Sequence, residues 1–203
     1  MGAVGAWWSP RTSNPLAAFL RIGAVGSTPS RSRHIGPSEN FMGKQIKYWL
    51  MKSEPSDYSF ADLNNEINAT AEWDGVRNYQ ARNFLRYEIN VGDMVLFYHS
   101  NSKPSAVVGT AIVVKDGYPD YTAWDTSSKH PDPKSSEENP IWYMVDIQAS
   151  SSFNYLVSLA KIKSVPLLAD MVLVRNSRLS VQPVTKSEYE IICSLGAAEN
   201  IDI

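Results

Sequence analysis

Few of the 203 residues belong to the types that build disulfides or metal sites. The chain has one cysteine, Cys193, which excludes an intramolecular disulfide and a cysteine-rich zinc site. The three histidines form no H-x-x-x-H pair, and no H-x-E combined with C-x-x-C occurs. Zinc hydrolases and zinc deaminases are therefore excluded, and we expect neither a metal nor another cofactor.

Long apolar runs and an excess of one charge are also missing. No run approaches the roughly 20 residues of a membrane-spanning helix, so we expect no membrane as a partner. Nineteen Lys and Arg against 21 Asp and Glu give a net charge of −2. That balance disfavours binding to nucleic acid through bulk charge, but it leaves room for a local basic groove.

The common catalytic and phosphate-binding motifs are absent as well. Neither G-x-G-x-x-G nor G-x-x-x-x-G-K-[ST] occurs, and no G-x-S-x-G elbow supports a triad of Ser53, His99 and an aspartate. Cys193 stands beside Ile191 and Ile192, where a small core residue is favoured over a nucleophile. The residues therefore favour a protein that is not an enzyme.

The first 43 residues differ in composition from the rest. They contain four arginines, no lysine, one acidic residue and six serines, so residues 44–203 carry a net charge of about −5. An Arg- and Ser-rich, acid-poor start is typical of a mitochondrial transit peptide. A passive tail, or a natural start at Met42, is the other interpretation. We predict a disordered extension over residues 1–43 and one folded domain over residues 44–203.

Strand and helix patterns are dense from Lys47 onward. The predicted strands cover residues 48–52, 93–99, 105–115, 141–149, 171–175 and 179–181. Capping boxes at Ser59 and Thr185 open two predicted helices, and two more cover residues 78–89 and 158–162. Phe60, Leu63 and Ile67 fall at helical spacing in the first of these helices, and Ala81, Leu85 and Ile89 form one apolar face of the helix over residues 78–89. A loop over residues 116–140 is unusually long for a compact domain. This order predicts an α+β fold, with a small curled sheet or barrel and helices packed on it.

Polar and aromatic residues concentrate in two segments. Residues 52–55 end the first predicted strand, and residues 73–83 place Trp73 before a glycine turn and a helix start. Free backbone N–H groups at such a helix start, with Arg77 or Arg82 nearby, suit an anion. Trp73 could stack on a flat ring. The two segments together indicate a pocket for a planar ligand.

Each of these features has a purely structural alternative. Trp73 is as well explained as a core residue over the sheet. For Arg77 and Arg82 a structural ion pair is slightly favoured over an anion site. The acidic partners considered for that pair are Asp74, Asp93 and Glu88.

Five separated blocks of sequence, in order, resemble the EVE domain family. They are residues 48–55, 73–83, 97–100, 111–120 and 178–184, so the resemblance covers about residues 47–195. It implies a PUA-like fold, a curled β-barrel with flanking helices. It also implies a non-enzymatic reader of modified bases, with DNA favoured over RNA and 5-hydroxymethylcytosine or 5-methylcytosine as the base. We expect a monomer.

The resemblance also implies which residues form the site. The more distant YTH domains hold a methylated adenine in an aromatic cage, and their pattern matches Lys52-Ser53 and Trp73 here. Ser53 and Asn78 would hydrogen-bond the base edge. The implied base pocket comprises Lys52, Ser53, Trp73, Asn78 and a second ring from Trp124 or Tyr118. The implied phosphate contacts are Arg77, Arg82, Arg175 and Arg178, with Lys52 beside them and His99 at the pocket rim.

Two questions stay open from the sequence. The resemblance favours the nucleus, whereas the N-terminal composition favours the mitochondrion. The rival function is an enzyme acting on nucleic acid or a nucleotide through His99, Glu54 or Asp74, and a binder of a small ring-shaped metabolite is a third hypothesis.

Overall fold

The computed structural model of the protein describes residues 45–176 and 178–198. The predicted extension over residues 1–43 lies outside the described residues, so the domain boundary at residue 44 stays a prediction. Among the residues that are described, no helix is both long and apolar enough to cross a lipid bilayer.

Six strands of the described chain form one mixed sheet. They are β1 (Tyr48–Ser53), β2 (Thr70–Glu72), β3 (Met94–His99), β4 (Ala106–Pro119), β5 (Tyr143–Ser158) and β6 (Val181–Val184). The order across the sheet is β2-β5-β4-β3-β1-β6, in which β1 and β3 run parallel and the other pairs antiparallel. The sheet is curled without closing, because β2 and β6 are its edges. The predicted α+β class is confirmed.

Five helices flank this sheet in the described residues. They are α1 (Phe60–Asn65), α2 (Tyr79–Tyr87), α3 (Leu159–Ser164), α4 (Val172–Arg175) and α5 (Lys186–Ala197). Both predicted capping boxes form: Ser59 exchanges hydrogen bonds with Asp62 before α1, and Thr185 does the same with Glu188 before α5. These reciprocal bonds satisfy backbone N–H groups that have no partner inside a helix.

The sheet separates two hydrophobic cores. Alternate residues of β1 point to opposite faces, so Trp49 and Met51 enter one core and Leu50 enters the other. The first core also contains Leu85 from α2, on the predicted apolar face of that helix. The second contains Ile192 from α5. The first core is the one that adjoins the cavity described below.

Several predicted elements differ from those observed. The strand predicted over residues 171–175 is instead the single turn α4, which follows the 3₁₀ turn Pro166–Leu168 and buries Leu173 in the second core. Ile67 was predicted on the apolar face of a helix, but α1 ends at Asn65 and Ile67 is 85% exposed. The short strand β2 was not predicted.

The predicted loop over residues 116–140 is shorter than expected, because β4 continues to Pro119. Gly117 allows this continuation. A Cβ atom at that position would lie 2.1 Å from the carbonyl oxygen of Leu85, so a larger residue could not pass α2 so closely.

Candidate functional site

A cavity of about 780 Å³ opens where β1 ends, and its size is typical of ligand sites. The end of β1 and the turn after it form one wall. The segment from Glu66 to Arg77 forms the second wall, and the segment from Thr122 to His130 forms the third. The lining residues from β1 and its turn are Lys52, Ser53, Glu54, Asp57 and Tyr58.

Trp73 lies in the wall of this cavity. Its side chain is 7% exposed and contacts the ring of Phe97 edge to face, with 5.3 Å between the ring centres. Its backbone N–H donates to the carbonyl of Val145 at 2.7 Å, which holds the segment against β5. Trp73 is therefore both a core residue and a lining residue, so the two sequence interpretations are compatible.

Lys52 and Ser53 also line the cavity. The ammonium group of Lys52 lies 5.6 Å from the ring centre of Tyr98, and burial lowers the pKa of Lys52 below its usual value. The hydroxyl of Ser53 donates to the carbonyl of Tyr58 at 2.6 Å. That hydroxyl oxygen can therefore accept a bond from a ligand while its proton is engaged.

Tyr58 is a lining residue that the sequence analysis did not identify. Its hydroxyl oxygen is buried and has no hydrogen-bond partner among the described residues. Burial, together with the charges of Glu66 and Asp62, raises the pKa of Tyr58 to about 12. The phenol is therefore protonated at neutral pH and can act as a donor.

Arg77 lines the cavity, but its guanidinium group is held by the protein itself. It forms an ion pair with Asp120 at 2.7 Å and donates to the carbonyl of His130 at 2.5 and 2.8 Å. The structural ion pair favoured by the sequence is present, although Asp120 was not among the partners considered. Arg77 ties the third wall to the second.

The charge of the cavity wall is negative on balance. Its carboxylates are Glu54, Asp57, Glu66, Glu72 and Asp74, whereas its cationic groups are Lys52, Arg77 and Lys129. Burial of the carboxyl group, and next the charge of Asp120, raise the pKa of Asp74. The cavity therefore offers many hydrogen-bond acceptors and disfavours a second negative charge.

Two residues of the predicted pocket lie outside this cavity. The side-chain oxygen of Asn78 accepts from the N–H groups of Gln80 and Ala81, which makes Asn78 the N-cap of α2. His99 accepts from the N–H of Phe60 at 3.1 Å. In both residues a side-chain acceptor is used at the start of a helix.

Neither candidate for a second ring lines the cavity. The hydroxyl of Tyr118 donates to Asp146 at 2.5 Å and also lies 3.2 Å from a carboxylate oxygen of Glu72. Burial, followed by these two acidic partners, raises the pKa of Tyr118. Trp124 ends the 3₁₀ turn Tyr121–Ala123. Among the described lining residues, the aromatic side chains are Tyr58, Trp73 and His130.

The other predicted phosphate contacts lie outside the cavity. Arg82 on α2 stacks on the ring of Tyr79 and donates to the carbonyl of Ile141 at 3.2 Å. Arg175 forms an ion pair with Asp170 at the end of α4. Arg178 is exposed. Within residues 45–176 and 178–198, no group of His, Cys, Asp and Glu side chains could hold a metal ion.

The family model of the EVE domain matches residues 47–195. The chain belongs to the EVE domain family. Two curated relatives are named thymocyte nuclear protein 1. The human protein is 38% identical over 206 residues, which cover 93% of this chain and 89% of that protein. The zebrafish (Danio rerio) protein is 43% identical over 164 residues, which cover 72% of this chain and 71% of that one.

Solved structures of similar proteins have the same fold. A hypothetical protein from Leishmania major is 46% identical with a TM-score of 0.72, covering 75% of this chain and 95% of that one. Human THYN1 protein in complex with 5-methylcytosine-containing DNA is 40% identical with a TM-score of 0.72. It covers 76% of this chain and 99% of that chain.

The long loop of this EVE domain packs directly on the glycine turn after Trp73. Gly75 has a φ of +71°, and a Cβ atom there would lie 2.9 Å from the imidazole of His130. Lys129 pairs with Asp57 at 3.2 Å across the cavity. The length of the loop was the sequence signal for a functional segment, but nothing in the pattern indicated these partners.

Proposed function

We propose that this EVE domain is a non-enzymatic reader of modified cytosine in DNA, with 5-methylcytosine or 5-hydroxymethylcytosine held in the cavity beside Trp73. The observation that carries the proposal is the likeness to human THYN1 protein in complex with 5-methylcytosine-containing DNA. The cavity beside Trp73, at the end of β1, supports it independently.

Recognition requires a base outside the duplex stack. Extruding a base costs a few kcal/mol, and stacking on an aromatic side chain recovers about 1–3 kcal/mol. Trp73 provides such a ring in the second wall, and Tyr58 provides another aromatic group in the first wall. The remaining volume accommodates a substituent on the base.

The acceptors in the wall suit a base that carries an amino group. Cytosine presents its N4 amino group as a donor, whereas thymine presents a carbonyl oxygen that carboxylates repel. Glu66 and Asp74 are the carboxylates that we assign to this contact. The hydroxyl of Tyr58 is available as a donor to the ring nitrogen or carbonyl oxygen of the base.

The phosphates remain outside the cavity in this proposal, because the wall carries more carboxylates than cations. Lys52 and Arg77 at the wall, and Arg82, Arg175 and Arg178 outside it, stay candidates for phosphate contacts. Arg77 and Arg175 must exchange an internal carboxylate for a phosphate. Arg82 forms no such pair in the described part of the chain.

An enzyme that uses the same cavity is the competing hypothesis. The raised pKa of Asp74 is the observation that favours it, since shifted carboxylates are common at catalytic positions. His99, which the enzyme hypothesis also named, does not line the cavity. Time-resolved chromatography of modified nucleosides and oligonucleotides would detect turnover, and product that disappears with Asp74→Asn would support the enzyme.

The test of the reader is a binding assay with the full chain. Matched oligonucleotides would carry cytosine, 5-methylcytosine or 5-hydroxymethylcytosine, as single strands and as duplexes. We expect a tenfold or greater preference for one modified base in the wild type and its loss in Trp73→Leu. Trp49→Leu is the control, because Trp49 is also buried but does not line the cavity. Equal affinity for all three bases would contradict the proposal.

We further propose that the protein acts in the nucleus, in line with the names of its relatives. We also propose that it acts as a monomer. The mitochondrial alternative rests on residues 1–43. Fluorescence microscopy of the chain tagged at its C-terminus, with and without residues 1–43, separates the two. Mitochondrial signal that depends on residues 1–43 would contradict the nuclear location.

A further inference from the structure

The outward side of helix α2 carries tyrosine and arginine side chains in one stripe. Tyr79, Arg82 and Arg86 are spaced i, i+3 and i+7, so they lie on one side of the helix. Tyr87 and Tyr143 flank the Arg86 end. We call these five residues the α2 stripe.

The rings and guanidinium groups of the α2 stripe are stacked. The guanidinium carbon of Arg82 lies 4.9 Å from the ring centre of Tyr79. That of Arg86 lies 4.9 Å from the ring centre of Tyr87 and 4.4 Å from that of Tyr143. Stacking of this kind orients a guanidinium group and leaves its charge in place. Arg82 also donates to the side-chain oxygen of Asn83 at 2.8 and 3.1 Å and to the carbonyl of Ile141 at 3.2 Å, and neither acceptor is charged.

The charges of the α2 stripe are not neutralised within the protein. Across the part of the chain that is described, neither Arg82 nor Arg86 forms an ion pair with a carboxylate. The acidic residue nearest to them in sequence, Glu88, pairs with Lys47 at 3.5 Å instead. Two adjacent unpaired guanidinium groups form a local positive patch on a domain that is otherwise acidic.

The rings of the α2 stripe are also unusually exposed. Tyr79 is 58% exposed and Tyr87 is 66% exposed. Tyr79 also packs on Trp142, with 5.0 Å between the ring centres, so the part of the ring that stays exposed is the part that a base can contact. Exposed rings interleaved with oriented guanidinium groups are typical of surfaces that bind single-stranded nucleic acid, through stacked bases and paired phosphates.

We propose that the α2 stripe binds the unpaired strand next to the base in the cavity, with phosphates on Arg82 and Arg86 and a neighbouring base on Tyr79. Helix α2 begins two residues after Arg77 in the cavity wall, so the stripe starts beside the cavity. It extends for about 13 Å along the helix. The position of the strand rests on the proposed function.

The double variant Arg82→Gln/Arg86→Gln of the full chain tests this surface, because glutamine removes the charge and keeps helix propensity. Binding to a nine-nucleotide strand with a central 5-methylcytosine is followed by fluorescence anisotropy over a range of salt. Two lost phosphate contacts should lower the slope of log K against log salt by about 1.4. The control Lys161→Gln/Lys163→Gln removes two charges from α3 and should leave the slope unchanged.

Tyr79→Ala tests the stacking part of the proposal. We expect its affinity for the same strand to fall about fivefold or more, since each stacked base contributes appreciably to binding. Its affinity for the nucleoside 5-methylcytidine should not change, because the nucleoside has no neighbouring base. Circular dichroism of each variant checks that α2 still forms.

These experiments test the α2 stripe independently of the proposed function. A wild-type slope in the double variant, or an equal loss in the α3 control, would contradict the proposal that the α2 stripe binds the strand. The preference for 5-methylcytosine over cytosine tests the reader on its own. If that preference is absent but the slope still falls in the double variant, the reader hypothesis is wrong, whereas the proposal that the α2 stripe binds single-stranded DNA is supported.

Discussion

The carboxylate of Asp120 accepts four hydrogen bonds. The donors are the N–H of Gly75, the guanidinium group of Arg77, and the N–H and hydroxyl of Thr122. Asp120 is fully buried. Since its partners belong to two walls of the cavity, Asp120 fixes the distance between those walls.

Asp120→Ala should therefore destabilise the protein strongly. The guanidinium group of Arg77 would remain mostly buried without its carboxylate, and breaking a buried ion pair costs about 3–5 kcal/mol. Urea unfolding followed by tryptophan fluorescence measures the free energy of unfolding. The matched control is Asp170→Ala, which breaks an exposed ion pair with Arg175 and should cost less than about 1 kcal/mol. Similar losses in both variants would contradict the role of Asp120.

His99 should make stability depend on pH. Burial lowers the pKa of His99 below its usual value of about 6.5, against a weaker opposing effect of Asp62. The unfolded state therefore binds a proton more readily than the folded state. The contribution of His99 is complete above about pH 6.5 and is lost as pH falls through the lower, folded-state pKa.

We accordingly expect the melting temperature to fall between pH 7.5 and pH 5.5. Protonation would also remove the acceptor that His99 offers to the N–H of Phe60. In His99→Gln the amide oxygen can accept that bond but cannot titrate, so the fall should be smaller. An equal fall in both proteins would assign the pH dependence to other groups.

The sequence analysis identified the cavity residues whose positions are set by a short local segment. It failed for residues whose positions depend on partners far away in the sequence. Lys52, Ser53 and Trp73 all line the cavity, because β1 and the turn before α2 are local features. Asn78 lies outside it because its side chain caps α2. Tyr118 lies outside it because its hydroxyl bonds to Asp146, which is 28 residues away in the sequence.

The long loop between β4 and β5 connects two other parts of the cavity wall. It packs on the glycine turn through His130 and reaches the turn after β1 through the ion pair between Lys129 and Asp57. Both partners of that pair are well exposed, so the pair itself adds little stability. A phosphate that approaches the cavity competes with Asp57 for Lys129.

Substitutions in this ion pair should change DNA binding in opposite directions. Asp57→Asn frees Lys129 for a phosphate and should raise the affinity for single-stranded DNA a fewfold at low salt. Lys129→Gln should lower it and reduce the salt slope by about 0.7, the effect of one phosphate contact. Thermal unfolding should change little in either variant. Anisotropy titrations check the signs, and equal shifts in one direction would exclude the competition.

The fold was predictable at the level of elements because most elements carry their own signals. The two capping boxes and the apolar face of α2 are local patterns, and all three formed as predicted. Helix α4 was mistaken for a strand because Val172-Leu-Val174 has strand-like composition, whereas its conformation follows from burial of Leu173 in the second core. Strand β2 has three residues, too few to show a period.

At the scale of the whole molecule, charge is divided unevenly along the chain. Residues 1–43 carry about +3 and residues 44–203 about −5. Removing residues 1–43 should therefore weaken binding to unmodified DNA at low salt, where bulk charge matters most. The preference for a modified base should be unaffected, because the cavity lies within the EVE domain. Titration of both chains with matched strands at two salt concentrations checks this, and a lost preference would place part of the site in the extension.

The excess of carboxylates in the cavity wall bears on competition inside a cell. When a free cytidine nucleotide places its base in the cavity, its phosphates must lie close by. The carboxylates of the wall, such as Glu66 and Asp74, would repel those phosphates. A base that belongs to a strand leaves its phosphates along the surface, where cations are available. In the proposed reader, the same wall would keep free nucleotides out of the site and leave it available for modified positions in a polymer.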